Sequence, residues 1–370
     1  MLLLPLLQYC YLRDRKLLTI FADKIKNNNR MRNKIISALC SISNKLSNAL
    51  EDTKLSLAIR KSYENNTWFD EKSIDLALKS IGNWLRKENL EEFTKSYSFS
   101  KTPKKVAVIC AGNIPAIGFH DMLCVLLSGN KLLCKLSSQD KDLLPAIAEL
   151  LIEEEAELKD YIEFAEDRIK DFDAVIATGS NNTRRYFDYY FGSYPNIIRH
   201  SRSSIGVLAD EKQAHSTPIN YSLLMDDILT HKGLGCRNIS KLYLPLDFDF
   251  TPLINASKEY ENLLDHNKYR NNYDYYKTIY IMNNVKFIDS GVLSILESIS
   301  LFSNVSILHF EYYKEIKDVI KAIEIEKENI QCVVSNSSLI ENRVEIGQAQ
   351  NPKINEFADN VDTMKFLNSI

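Results

Sequence analysis

Hydrophobic positions along this chain change their period once, and the change divides it. From about Leu17 to Lys95 they recur at helical spacing in a segment rich in Leu, Ile, Lys, Asn and Ser. The clearest helix is expected to start at Asp70, a good N-cap, and to carry Ile74, Ala77, Leu78, Ile81 and Leu85 on one face, which reads as core packing. From Lys105 short, continuous apolar runs take over. Val106–Cys110, Lys131–Leu136, Asp173–Thr178 and Ile205–Ala209 are expected to be strands, the uniformly apolar ones buried on both faces. Helices are expected between them at Pro115–Ser128 with Gly129 as its stop, through about Lys159, and at Asn181–Phe191 stopped by Gly192. Strands alternating with helices of this length predict an α/β fold with a doubly wound parallel sheet, and place the ligand site at the carboxyl ends of its strands.

After Asp210 the pattern predicts a helical stretch and a strand at Lys241–Pro245. Later strands are expected at Thr278–Met282, Val305–Phe310 and Gln331–Ser335, whereas residues 255–277, polar and Tyr-rich, predict no element. No internal repeat or low-complexity linker interrupts the chain, so its parts are expected to pack tightly.

Composition narrows the class. The chain has 370 residues, 45% hydrophobic and 26% charged, with 46 basic against 49 acidic side chains. This is a globular composition with no basic excess to favour nucleic acid. No run of 18 uncharged apolar residues suggests a spanning helix. Met1–Leu7 is apolar but lacks a basic flank and a small-residue cleavage site, and reads as an N-terminal extension. The seven cysteines are odd in number, with no CxxC pair, which gives neither a zinc spacing nor a disulfide framework and fits a reducing cytoplasm. Glycine is scarce at 11 residues, less than half the usual share of roughly 7%, yet eight of the 11 fall between Gly112 and Gly235. Such a cluster marks places where backbone turns tightly or approaches a ligand.

The chemistry concentrates there. In Lys232-Gly-Leu-Gly-Cys-Arg-Asn238 two glycines clear the approach to Cys236, the best nucleophile candidate; Cys110, Cys124 and Cys134 lie inside apolar runs and read as structural. Asn113, just after the first strand, is a neutral donor able to hold an oxyanion, with an Asx-turn or helix cap as the plainer role. Thr178, Gly179 and Ser180 join a strand to a helix, a place where free N–H groups meet phosphate. Lys135 and Ser137 end the second strand within reach of a ribose or its phosphate, or form a solvated rim. Neither GxGxxG, GxxxxGK[ST] nor GxSxG occurs. The six histidines form no HxxxH pair, and no metal site is expected; His120 reads as a packing residue.

In this order, Ala111-Gly-Asn-Ile-Pro-Ala-Ile-Gly-Phe-His-Asp121, Lys135-Leu-Ser-Ser138, Ala177-Thr-Gly-Ser-Asn-Asn182, Gly233-Leu-Gly-Cys-Arg-Asn238 and Gly347-Gln-Ala-Gln350 resemble the acyl-CoA reductase family within the aldehyde dehydrogenase superfamily. This is the family of the fatty-acid reductase component of bacterial bioluminescence. The resemblance runs from about Asn66 to the C-terminus. It implies an aldehyde-dehydrogenase-like fold: a helical N-terminal segment (1–100), a nicotinamide-cofactor domain (101–212), an α/β catalytic domain carrying the cysteine (213–335) and a return segment (336–370). It also implies NADPH-dependent reduction of a fatty acyl-CoA to the aldehyde, with NADH as the other cofactor possibility. Cys236 would take the acyl group, Asn113 and the Cys236 N–H would form the oxyanion hole, and Lys135 and Ser180 would bind the cofactor together with Ser137, Thr178 and Gly179. An acyl-protein thioester substrate, an acyl-activating or acyl-transferring partner enzyme and a homo-oligomer belong to the same implication. Where many aldehyde-oxidising relatives have a glutamate base, Arg199-His-Ser-Arg-Ser-Ser-Ile-Gly206 carries no carboxylate, which favours reduction of the acyl-cysteine over its hydrolysis. His200 is a candidate proton donor. Reduction of a small acyl phosphate, and a hydrolase or transferase with no redox step, remain as other readings.

Overall fold

A computed structural model of the protein describes residues 30–210 and 215–370. The apolar Met1–Leu7 and Cys10 lie outside the described residues, as does the start of the helical stretch expected after Asp210.

Helices α1 (30–47), α2 (Thr53–Asn65), α3 (Glu71–Trp84) and α4 (Lys87–Thr94) form an N-terminal layer. Asp70 caps α3 as expected: its carboxylate accepts from Ser73 N at 2.7 Å while Ser73 Oγ meets Asp70 N, a reciprocal capping box. The apolar stripe Ile74, Leu78, Ile81 and Leu85 is buried, and it joins Ile35, Leu39 and Ile42 of α1 in one core with the sheet that follows.

That first sheet contains β1 (Lys105–Ile109), β2 (Lys131–Lys135), β3 (Ile162–Phe164), β4 (Ala174–Thr178) and β5 (Asn196–Arg199) in the order β3-β2-β1-β4-β5, every pair parallel. Helices α5 (Phe119–Leu127), α6 (Leu143–Glu154) and α7 (Asn181–Phe191) make its crossovers. The order reverses at β1, so the crevice beyond the ends of β1 and β4 is the topological switch point of a doubly wound sheet. Gly129, at φ +82°, closes α5, as a C-terminal glycine stop should. β3 and β5 had no apolar run long enough to announce them; both are short edge strands.

The second sheet contains β6 (Ser203–Val207), β7 (Ile239–Pro245), β8 (Ile288–Asp289), β9 (Ser294–Glu297), β10 (Ile307–Tyr313) and β11 (Ile330–Ser335), ordered β11-β6-β7-β10-β9-β8. All pairs are parallel except β8 with β9. Helices α8 (Tyr221–Leu229), α9 (Thr251–Ser257), α10 (Asn267–Met282) and α11 (Ile316–Glu326) accompany it. Two expectations change here. The strand at Ile205–Ala209 does not extend the first sheet; after β5 only residues 200–202 intervene before the chain pairs with β7 and β11, so the change of sheet falls at 200–202 rather than near 212. Thr278–Met282 is not a strand but the end of α10, whose buried Tyr269 and Tyr273, four residues apart, fasten a helix through a segment of β-prone residues. The region 255–277, for which the pattern predicted nothing, is helical through α9, a 3-10 stretch at Lys258–Asp265, and α10.

The chain finally returns to the first sheet. Helix α12 (Thr363–Ser369) buries Met364 and Leu367 in the N-terminal core. No described helix is long and apolar enough to cross a membrane.

Candidate active site

A cavity of about 840 Å³ opens between the carboxyl edge of the first sheet and the amino edge of the second. Its walls come from Cys110–Asn113 after β1, Thr178–Ser180 after β4, the crossover at 199–202, the first residues of β6, β7 and β10, the loop ending in Cys236, and Ala358–Asp359 of the returning chain. Five of the seven expected site residues, Asn113, Thr178, Gly179, Ser180 and Cys236, therefore share one wall system. Lys135 and Ser137 stand just behind it: Lys135 Nζ donates to Glu166 O at 2.6 Å, and Ser137 accepts from Gln139 N at 3.2 Å while its side chain fills the space a Cβ on Gly112 would need.

The cysteine loop is shaped by backbone that ordinary residues avoid. His231, Lys232 and Gly233 follow one another in the left-handed region, at φ 52°, 60° and 76°. Two interactions fix this turn. Lys232, only 3% exposed, is ion-paired with Asp70, so the residue that caps α3 also clamps the loop. Asn238, equally buried, accepts from Gly235 N at 2.8 Å and donates to Thr230 O at 2.8 Å, bracing the turn from inside. Beneath it the buried Asp227 accepts from Gly347 N at 2.6 Å and Ala349 N at 2.9 Å, which explains the Gly347–Gln350 motif as a support for this loop.

Asn113 meets the same loop from the opposite side. Its Nδ2 donates to Leu234 O at 2.8 Å, two residues before the thiol. An amide has two N–H groups, and holding it by one leaves the other to point at a ligand. Burial pushes the Cys236 thiol up to about 11, against the opposing charge of Arg237 and reinforced by Cys332 and Asp359. The carbonyl of Cys236 accepts from Ser204 Oγ at 3.0 Å, which pins the residue to β6.

Charged pairs line the crossover wall. Arg199 is ion-paired with Asp121, both almost wholly buried, and donates to Thr363 Oγ1 at 3.0 Å. Arg202 faces Asp359 at 3.1 Å. His200 is held by Glu328 O at 3.1 Å. The stretch 199–206 contributes no carboxylate, yet the cavity is not free of them: Asp121 and Asp359 arrive from other segments. Local spacing gave no sign of Asp359, because only the fold brings it to the crossover.

The remaining histidine and cysteine readings have structural outcomes. His120 packs against Trp84 and Phe357 and meets Ile354 O at 2.8 Å. Cys110, Cys124 and Cys134 are buried, with the sulfurs of Cys110 and Cys134 3.6 Å apart. Among the described residues no group of His, Cys, Asp and Glu is arranged to hold a metal ion.

Comparisons with known proteins bear on the family and on the fold. Residues 31–245, more than half of the chain, match the family model described as acyl-CoA reductase (LuxC). Among solved structures the chain is similar to a P. syringae indole-3-acetaldehyde dehydrogenase mutant in complex with NAD+ and IAA, at 13% identity and a TM-score of 0.59 over 87% of this chain and 74% of that one. It is also similar to a Mycobacterium tuberculosis aldehyde dehydrogenase complexed with NAD+ (13%, 0.55, 86% and 75%) and to a Burkholderia cenocepacia protein described as a possible aldehyde dehydrogenase (12%, 0.59, 83% and 74%). At such identities the likeness is one of fold. Comparison with curated protein sequences gives no match. Family and fold together support aldehyde-related reductase or dehydrogenase chemistry. Carrying the aldehyde dehydrogenase fold, with its cysteine and asparagine loops meeting at the switch point, the chain belongs to the acyl-CoA reductase (LuxC) family.

Proposed function

We propose that this protein reduces a fatty acyl thioester, an acyl-CoA or an acyl-protein, to the aldehyde through an acyl group carried on Cys236, with NADPH as reductant. The observation that carries the reading is the Asn113–Leu234 hydrogen bond, which fastens an amide donor beside the nucleophile loop at the switch point. Cys236 attacks the thioester carbonyl. The carbonyl oxygen, now negative, is received by the second N–H of Asn113 and the Cys236 backbone N–H, and the departing thiolate leaves an acyl-cysteine.

The residues present suit a nicotinamide cofactor. The cavity lies within the roughly 300–1,000 Å³ of ligand sites and opens at the crevice where such sheets bind nucleotides. Thr178, Gly179 and Ser180 would hold it at the end of β4, and Lys135 and Ser137 at the end of β2. When bound in its reduced form the cofactor supplies the hydride that turns the acyl group into the aldehyde. Asn113 again steadies the oxygen as the C–S bond breaks and the Cys236 thiolate is restored. With the boundary moved to the crossover, residues 101–202 would supply most of the cofactor side, 203–335 the nucleophile, and 336–370 the return to the first sheet.

Asp359 in the cavity favours one second reading, hydrolysis of the acyl-cysteine without redox chemistry. Incubating the protein with long-chain acyl-CoA and NADPH separates the two. Aldehyde formed in step with NADPH oxidation, and abolished in Cys236→Ser, is the expected result. Thioester loss with no NADPH oxidation would sink the reductase reading.

A further inference from the structure

A thiol held near 11 by burial is almost entirely protonated at neutral pH, so its attack on a thioester needs a group to take the proton. The cavity wall offers few. Lys232 is committed to Asp70, Asp121 to Arg199, and the ring of His200 to Glu328 O. His231, on the same loop, is kept neutral down to about pH 4 by burial and by Lys232, but its Nδ1 is shut away from solvent and the residue is absent from the cavity wall.

Asp359 is ion-paired too, to Arg202, but of the two carboxylates in the cavity wall it is the one that acts on the thiol. It lines the cavity with Cys236, and its charge is felt at the thiol. Its side chain is only 10% exposed, and Arg202 holds one carboxylate oxygen at 3.1 Å. Its backbone lies in the left-handed region at φ 59°, as does that of Asn360 at φ 56°, and its N–H donates to Gln331 Oε1 at 3.1 Å. Asp and Asn enter that region more readily than other non-glycine residues, and ties at both backbone and side chain hold Asp359 in one place. The groups that face it are Arg202, Arg199 and His200 from the crossover and Asp121 from α5; burial raises its carboxyl above the ordinary range despite the two guanidinium neighbours.

We propose that Asp359, positioned by Arg202, accepts the proton of Cys236 as the sulfur attacks the thioester, and returns it to the departing thiolate. The atoms balance. The Cys236 S–H bond breaks and a carboxyl O–H forms; a C–S bond forms to Cys236 and the C–S bond to the leaving thiol breaks; the proton ends on that thiol. The acyl-cysteine is left beside an ionised carboxylate, with no change in oxidation state. The inference rests on the acyl-transfer reading above and deepens it by naming the proton's route.

The test measures formation of the acyl-cysteine on the full-length protein by rapid quenching with palmitoyl-CoA, with no NADPH present. In the wild type the rate should rise as Asp359 ionises and then level off. In Asp359→Asn it should fall about 100-fold or more at pH 7 and climb roughly tenfold per pH unit toward the thiol's own ionisation. Asp359→Glu should restore part of the rate, and NADPH binding followed by fluorescence should stay unchanged in both, which separates proton transfer from a collapsed site. Wild-type acylation with a wild-type pH profile in Asp359→Asn would overturn the proposal. So would normal acylation with loss of slow fatty-acid release, which would make Asp359 the base for water instead. If the unaltered protein forms no acyl-cysteine at all, the reading of the site as an acyl-transfer centre falls first.

Discussion

With the Cys236 thiol near 11, only about one molecule in ten thousand carries the thiolate at pH 7, so as the proposed nucleophile this residue would depend on its neighbours more than most. Asn113 is the neighbour whose contribution is most direct. It is exposed to the cavity and held by one N–H, so truncation removes a donor without opening a core. Asn113→Ala should lower kcat for aldehyde formation about 100- to 1,000-fold, the usual cost of one oxyanion donor, while NADPH affinity is kept. Steady-state kinetics beside a cofactor titration would check this, and a failure of cofactor binding instead would reassign the residue. Asn113 and Cys236 could be found in the sequence because each sits beside glycine just outside an apolar strand. Asp359 could not, since nothing in Asn355-Glu-Phe-Ala-Asp-Asn360 distinguishes it from surface acid until Arg202 is placed against it.

At the scale of elements, the capped start of α3 does two jobs. The Asp70 carboxylate closes the first turn and neutralises the buried ammonium of Lys232. Asp70→Asn should keep the cap and lose the charge, whereas Asp70→Ala loses both, so the alanine variant should be the less stable by about 1 kcal/mol in denaturant unfolding. Both should slow acylation of Cys236, because each releases the left-handed turn that precedes it. The helix itself was legible, since a polar N-cap ahead of a 3.6-residue apolar stripe is a local pattern. So were β1, β2 and β4, whose apolar runs are local as well. β3 and β5 were not, because short edge strands take their conformation from a neighbour's hydrogen bonds. α10 was misread for the complementary reason: its last turn, Thr278–Met282, is rich in β-favouring residues, and the helix is settled upstream by Tyr269 and Tyr273.

Across the whole molecule the chain enters the second sheet at 200–202 and comes back before α12, so both ends of the described chain belong to the first body. Met364 and Leu367 lock that return, being 0% and 1% exposed in the N-terminal core. Met364→Ala and Leu367→Ala should each cost about 2–5 kcal/mol of stability by denaturant unfolding, as buried truncations do elsewhere, although they lie at the extreme C-terminus. The two crossings have a mechanical consequence. A body tied by a single strand can swivel freely, but one tied at two points can rotate only about the line that joins them. Arg202 stands on one tie and Asp359 on the other, so their ion pair spans the two ties themselves. Rotation about that line leaves the length of the pair unchanged, so the cleft can widen or narrow while Asp359 keeps its cation.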